Sequence, residues 1–105
     1  MAHESSRVHV EIEEDGRMLA AGVIERTGED QPRVSVHREA GHLPIGTSAR
    51  LIDAVLDHPE VKNAGHITAS LPRGDDEAFT RLRERCDSVE VRPAGASIIV
   101  EADTP

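Results

Sequence analysis

The stretch "GHLPIGTSARLIDAVLDHPEV", which runs from Gly41 to Val61, decides how the fold is interpreted. From Thr47 onward its apolar residues recur at helical spacing, which predicts an amphipathic helix. The buried face of this helix is predicted to carry Leu51, Ile52, Val55 and Leu56. We predict that the helix ends at Asp57 or His58, because the residue before Pro59 is disfavoured in the α region.

The start of this helix admits two interpretations, an ordinary helix cap and an anion site. A hydroxyl at Thr47 or Ser48 suits an N-cap that accepts hydrogen bonds from first-turn amides, worth about 1 kcal/mol. The same N–H groups suit the phosphate of a bound ligand, because helix N-termini bind anions. The candidate cofactor site consists of Ile45, Gly46, Thr47 and Ser48. Arg50 lies one turn further on, where it is placed to pair with a phosphate or with Asp53.

Strands are predicted on both sides of this helix. The segment from Arg7 to Glu25 alternates apolar and polar residues and turns at Asp15 and Gly16, which indicates a β-hairpin with one buried face. After a polar turn over residues 26–32, "RVSVH" predicts a third strand antiparallel to the second. "HITASL", over residues 66–71, follows "VKNAG", a predicted turn after the helix, and is therefore expected to run parallel to the third strand.

The rest of the chain predicts one more helix and a second hairpin. In "PRGDDEAFTRLRERC", Asp75 is the candidate N-cap, and Asp76 and Glu77 complement the dipole of the helix that follows. "SVEVR" and "ASIIVEA" form the last two strands. The predicted order is β-β-β-α-β-α-β-β, an α+β (mixed α/β) fold with a mostly antiparallel sheet and a central βαβ unit. We expect a single domain over residues 1–105, with an ordered core at about 7–102.

Composition excludes several functional classes. Twenty acidic and twelve basic residues give 105 residues a formal net charge of -8, and Phe79 is the single aromatic residue. Nucleic acids and anionic membrane surfaces are therefore not expected partners. No apolar run reaches the length of a membrane span, and a lone cysteine, Cys86, fits a reducing cytosol, so we expect a cytoplasmic protein. Eleven of the twelve basic residues are arginine, typical of a high-GC bacterial genome.

Histidine and cysteine do not indicate a metal or nucleophilic site. The six histidines have no compact ligand spacing, and His9 and His37 are expected on the polar faces of strands, so no metal site is predicted. Cys86 lies on an apolar helical stripe and is interpreted as a small core residue. The stripe consists of Ala78, Phe79, Leu82 and Cys86. "RGD", at residues 73–75, is interpreted as a turn that leads into an N-cap.

The element order from about Arg7 to Ala102 resembles that of the GNAT superfamily of acetyl-CoA-dependent N-acetyltransferases, without its first two helices. In that family, a loop binds pyrophosphate just before the helix that corresponds to the one predicted here from Thr47. This loop has the pattern Gln or Arg, two residues, Gly, one residue, Gly or Ala. "GHLPIG" places Gly41 at the first position, Pro44 at the first glycine and Gly46 at the second. Pro44 has no N–H to donate to a phosphate.

The resemblance also implies catalytic groups that this chain only partly supplies. The family often uses a tyrosine as general acid, and this chain contains no tyrosine. His37 or Glu39 stands near the third strand, where the resemblance implies a general base, but no residue is singled out as catalytic.

Three hypotheses follow. The leading one is a non-catalytic cytoplasmic domain of GNAT-like topology that needs no cofactor and acts by binding or self-association, with no protein partner indicated. The alternative is an acyl-CoA-dependent N-acyltransferase that binds the pyrophosphate of acetyl-CoA at residues 46–48. The third is a homodimer formed through sheet edges, because both terminal hairpins leave a strand uncovered. Charges at Glu90 and Arg92 disfavour such pairing at the last hairpin.

Overall fold

The computed structural model describes residues 5–27 and 31–105 and contains every predicted element in the predicted order. The α+β prediction is therefore confirmed, while residues 28–30 of the predicted turn lie outside the described part. The elements are β1 (Ser5–Glu14), β2 (Arg17–Thr27), β3 (Arg33–Arg38), α1 (Thr47–Asp57), α2 (Pro59–Lys62), β4 (His66–Pro72), α3 (Asp76–Arg85), β5 (Asp87–Ala94) and β6 (Ser97–Asp103).

The six strands form one sheet in the order β1-β2-β3-β4-β6-β5. The pair β3 and β4 is parallel, and the pairs β1–β2, β2–β3 and β5–β6 are antiparallel, as predicted. Strand β4 also pairs antiparallel with β6, a neighbour that the sequence did not predict. The first hairpin turns at Asp15 and Gly16, whose φ angles are 53° and 77°. Positive φ at both central residues is the requirement of the tight turns that suit the twist of paired strands, which explains the Asp-Gly sequence.

Helix α1 lies across one face of the sheet, where it packs against β1, β2 and α3. The predicted apolar face of α1 is fully buried within one hydrophobic cluster. Gly22 in β2 allows the close approach, because a Cβ atom there would lie 3.0 Å from Cγ2 of Val55. The opposite face of the sheet carries exposed polar side chains, such as those of His9, Glu11 and His37, as is usual for antiparallel sheets with one solvated side.

One helix was not predicted. Helix α1 ends at Asp57, as expected from Pro59, but a four-residue helix, α2, follows where the sequence indicated a turn. Pro59 occupies the first helical position of α2, where its missing N–H costs nothing, and Nδ1 of His58 accepts a hydrogen bond from the Glu60 N–H at 3.1 Å. No helix in the described part of the chain is long and apolar enough to cross a membrane.

The sheet opens between β3 and β4. These strands pair over three positions, from Arg33 with Thr68 to Ser35 with Ser70. Beyond Ser35 and Ser70, β3 continues to pair with β2, and β4 continues to pair with β6, whereas β3 and β4 share no further pairing within the described residues. We call this gap at the carboxyl ends of the two strands the β3–β4 opening, and the candidate site lies beside it.

Candidate functional site

The N-terminus of α1 is built differently from the predicted hydroxyl cap. Gly46 is the N-cap residue, with φ at 94°. Because glycine has no side chain, the cap residue itself supplies no acceptor for the first-turn amides. The hydroxyl of Thr47 donates to the Pro44 carbonyl at 2.7 Å, and that of Ser48 donates to Oδ2 of Asp75 at 3.0 Å. The prediction that Thr47 or Ser48 caps α1 is wrong, because both residues lie inside the helix and both hydroxyls serve as donors elsewhere.

The carboxylate of Glu77, in the first turn of α3, supplies the missing cap. Its Oε2 accepts a hydrogen bond from the Gly46 N–H at 3.0 Å, and its Oε1 accepts one from the Ala49 N–H at 3.1 Å. One carboxylate therefore bridges two N-terminal amides of a neighbouring helix, and its charge lies at the positive end of the α1 dipole. A phosphate bound at this helix N-terminus would accept hydrogen bonds from the same backbone N–H groups.

The environment of Glu77 favours its charged form. Partial burial raises its pKa, but hydrogen bonds from the backbone N–H groups of Gly46, Ala49 and Ser48 lower it, and the nearby Arg38 charge lowers it further. The net result is a pKa below the ordinary glutamate value. Glu77 is therefore an internal anion that occupies the anion position of α1 at neutral pH.

Asp75 forms a second acidic anchor beside Glu77. It is the N-cap of α3, as predicted, because its Oδ1 accepts from the Ala78 N–H at 3.3 Å. Its side chain is 1% exposed and also lies 3.5 Å from Nη1 of Arg38. Arg38 ends β3 and Asp75 follows β4, so this ion pair spans the β3–β4 opening. The Nε atom of Arg38 is buried and has no hydrogen-bond partner among the residues that the structure describes.

Helices α1 and α3 are joined by a regular series of contacts that we call the α1–α3 ladder. It pairs Glu77 with Ala49, Arg81 with Asp53, and Arg85 with Asp57, and each pair is separated by 28 residues. The partners on each helix recur every four residues, so the two helices run side by side in the same direction. Glu77 is the first rung of this ladder.

The ladder changes the predicted partner of Asp53. Its carboxylate accepts from Nε of Arg81 at 2.8 Å and from Nη1 of Arg85 at 3.2 Å. The hydrogen bond from Arg81 is the main reason that the pKa of Asp53 is lowered. These cations lie on α3, so the expected pairing of Asp53 with Arg50 within α1 is replaced by pairing between helices.

The four residues of the predicted cofactor site differ in their exposure. Ile45 is fully exposed, whereas Thr47 and Ser48 are each 2% exposed, and two of the amides at this end of α1 donate to Glu77. An anion that used these two amides would compete with the Glu77 carboxylate for them. The candidate bases lie at the end of β3, where Nε2 of His37 is 3.9 Å from Oε2 of Glu39 and both side chains are exposed.

The contacts of Glu77 and Asp75 with α1, and the ion pair of Arg38 with Asp75, were not predicted. Asp75 was predicted as the N-cap of α3 and Glu77 as part of its first turn, and both positions are correct. No local pattern indicates that Glu77 reaches a helix whose start lies about 30 residues earlier, because the contact depends on how the two helices pack. The one relevant sequence signal is that Glu77, Arg81 and Arg85 recur every four residues and so share one face of α3.

The cysteine and the histidines that the structure describes lie outside the site at the start of α1. Cys86 is buried at the end of α3, and burial is the main cause that raises the pKa of its thiol, which supports the core interpretation. Across residues 5–27 and 31–105, no three metal-ligating side chains come together.

Comparison with known proteins identifies the fold. No family model matches the sequence, and no curated protein matches it. Among solved structures, the chain is similar to a proposed acetyltransferase from Sphaerobacter thermophilus, with a TM-score of 0.62 and 12% identity over 97% of this chain and 66% of that one. It is also similar to YncA, a proposed acetyltransferase from Salmonella typhimurium solved with its cofactor acetyl-CoA, with a TM-score of 0.58 and 11% identity over 92% and 63%.

Both neighbours are longer proteins, and this chain spans about two thirds of their length. At such identities the similarity concerns the course of the backbone and does not extend to activity. The observed element order and sheet topology are consistent with this backbone similarity. The chain therefore has a GNAT-like fold.

Proposed function

We propose that this chain is a non-catalytic domain of GNAT-like fold that acts by binding or self-association. The observation that carries the proposal is the Glu77 carboxylate, which accepts hydrogen bonds from the Gly46 and Ala49 N–H groups at 3.0 and 3.1 Å. A phosphate that used these amides would first have to displace it. We place the domain in the cytoplasm, because its single cysteine is buried and free.

Displacement of Glu77 carries a large free-energy cost. The carboxylate would lose two hydrogen bonds to amides, and bonds to a charged group contribute about 1.5–3 kcal/mol each when partly buried. A net cost of about 3 kcal/mol weakens binding of a phosphate about a hundredfold. The incoming anion would also lie near two carboxylates, Glu77 and Asp75, in a chain with net charge -8.

Two features of the sequence support the same proposal. Pro44 removes one N–H from the loop that precedes α1, and the chain has no tyrosine that could protonate a departing thiolate. Both losses affect steps that the resemblance to N-acetyltransferases would require.

A calorimetric titration with acetyl-CoA tests the proposal. The expected result is that the wild-type chain gives no saturable heat at millimolar acetyl-CoA and no acetyl transfer to a panel of amines above background. Glu77→Ala is the informative variant, because it frees the amides of α1 without changing their backbone. Transfer by the wild-type chain that is abolished by a substitution at Gly46 would contradict the proposal.

One alternative is favoured by specific observations. An acyl-CoA-dependent N-acyltransferase is suggested by the β3–β4 opening and by the acetyl-CoA of one structural neighbour. For this function, the Glu77 carboxylate would have to release the Gly46 and Ala49 N–H groups when the cofactor binds at residues 46–48. Competition by Glu77 predicts that Glu77→Ala gains about a hundredfold in affinity for acetyl-CoA. Saturable binding by the wild-type chain at micromolar concentration, with a smaller gain in Glu77→Ala, would favour this alternative.

A further inference from the structure

The two outer strands of the sheet, β1 and β5, differ in how well their free edges are protected. Strand β5 contains Pro93, which has no N–H, and an irregularity between Asp87 and Glu90 where Ser88 has a φ of 54°. Proline and bulges are devices that prevent pairing with another chain. Strand β1 has no proline, and it pairs regularly with β2 from Ser5 to Ile12. Within the described residues, β2 is its one neighbouring strand.

The charges along β1 are complementary to themselves when the strand is turned end to end. Within the regular segment Ser5–Ile12, the seven residues from Ser6 to Ile12 are centred on His9, and a bulge follows Ile12. Antiparallel pairing of two copies about His9 places Arg7 of each copy opposite Glu11 of the other. Both side chains are exposed on the solvated face of the sheet, where directly opposite charges attract.

Other registers lose this match. A shift by one residue would move the apolar face of one strand to the polar face of the other. Centring the pair on Val10 places Arg7 opposite Glu13, beyond the bulge, and centring it on Val8 places Arg7 opposite His9. The pairing about His9 is therefore the register that joins opposite charges while its pairs, from Ser6 to Ile12, stay within the regular segment.

The apolar face of β1 is also incompletely covered in the single chain. Val8 and Val10 pack against the core but are only partly buried. In the register centred on His9, Val8 of one copy lies opposite Val10 of the other. Pairing would thus remove further apolar surface from water on the helix side while it joins charges on the solvated side.

We propose that this chain forms a two-fold symmetric homodimer in which two β1 strands pair antiparallel about His9, giving one continuous twelve-stranded sheet. The proposal deepens the proposed function, on which it rests, because it names the partner and the surface for self-association.

Charge reversal followed by charge exchange tests the dimer and its register. Sedimentation velocity across micromolar concentrations at neutral pH and physiological salt is expected to show a monomer–dimer equilibrium for the wild-type chain. Arg7→Glu or Glu11→Arg alone turns two attractive pairs into two repulsive ones, because of the symmetry, and weakens the dimer about tenfold or more. The double variant restores the opposite charges and is expected to return the Kd to within about threefold of wild type.

Glu90→Arg on β5 is the matched control and is expected to leave the dimer unchanged. A wild-type chain that sediments as a monomer at all concentrations overturns the proposal. Failure of the double variant to restore the dimer, or loss of the dimer in Glu90→Arg, also overturns it.

A cross-linking variant covers the case in which a charge variant does not fold. His9→Cys places two thiols opposite each other on the symmetry axis and is expected to give a disulfide-linked dimer on mild oxidation. Arg17→Cys, at the exposed hairpin tip, is expected to stay monomeric, and equal cross-linking of both variants argues against the register. Acetyl transfer by the wild-type chain would contradict the proposed lack of catalysis but would not affect the evidence for the dimer. A failure of the proposed function can therefore be distinguished from a failure of the proposed dimer.

Discussion

Removal of the Glu77 side chain should destabilise the chain through a helix other than the one on which Glu77 lies. Glu77→Ala deletes the acceptor for the Gly46 and Ala49 N–H groups. Loss of a helix cap costs about 0.5–2 kcal/mol, and hydrogen bonds to a charged group are at the strong end of the range. We therefore expect the free energy of unfolding to fall by about 2 kcal/mol and the Tm by about 10 °C.

Asp76→Ala is the matched control for this substitution. Asp76 lies beside Glu77 in the first turn of α3, so both changes remove the same favourable charge from the α3 dipole. Asp76 is exposed, and its loss is expected to cost less than about 0.5 kcal/mol. Urea unfolding followed by far-UV circular dichroism measures both variants. Equal destabilisation by Glu77→Ala and Asp76→Ala would refute the cap.

The pH dependence of stability gives an independent check on Glu77. Its pKa in the folded chain lies below the ordinary value of 4.5, so its contribution is fully present above pH 4.5. The contribution is lost as pH falls through the lower folded-state pKa, because protonation removes the charge at the start of α1. Glu77→Gln keeps one acceptor and no charge, so the stability gap between wild type and this variant should be about 1 kcal/mol at neutral pH and should shrink on acidification. A gap that widens at low pH would contradict this sign.

Three further predictions concern the packing around α1. Asp53→Ala and Arg85→Ala should show a coupling of about 0.5 kcal/mol in a double-mutant cycle, because the pair is partly exposed; strict additivity would show that Arg85 does not stabilise the chain through Asp53. Gly22→Ala should cost about 1–2 kcal/mol in thermal melts, since its Cβ would lie 3.0 Å from Val55. Adding Val55→Ala should then cost less than it does in the wild-type chain. Cys86 should react with a thiol reagent only after unfolding, because it is buried and its pKa is raised; fast reaction in the native state would place it at the surface.

The architecture was predictable because its signals are local. Alternating apolar residues and the Asp15-Gly16 turn indicate the first hairpin, and Pro59 indicates the end of α1. A helix between two strands implies that β3 and β4 are parallel, as found. The short helix α2 was missed although it has Pro59 at its first position, because a single turn has too few apolar residues to show a period.

The candidate site was less predictable because its contacts join distant parts of the chain. A hydroxyl next to a glycine is a good local cap, and it predicted Thr47 or Ser48 as the cap of α1. The packing of α3 alongside α1 then brought a stronger acceptor, the Glu77 carboxylate, to the same amides. Sequence spacing within one helix shows which residues share a face but does not show which neighbouring helix will supply the partner.

A pH titration of the α1 amides by nuclear magnetic resonance tests the central claim most directly. If the Glu77 carboxylate binds the Gly46 and Ala49 N–H groups, the amide signals of both residues should shift together with a single midpoint below pH 4.5. The same two signals should lose this transition in Glu77→Gln and keep it in Asp76→Asn. Amide signals of Gly46 and Ala49 that do not follow the ionisation of Glu77, or a midpoint above pH 4.5, would contradict the account.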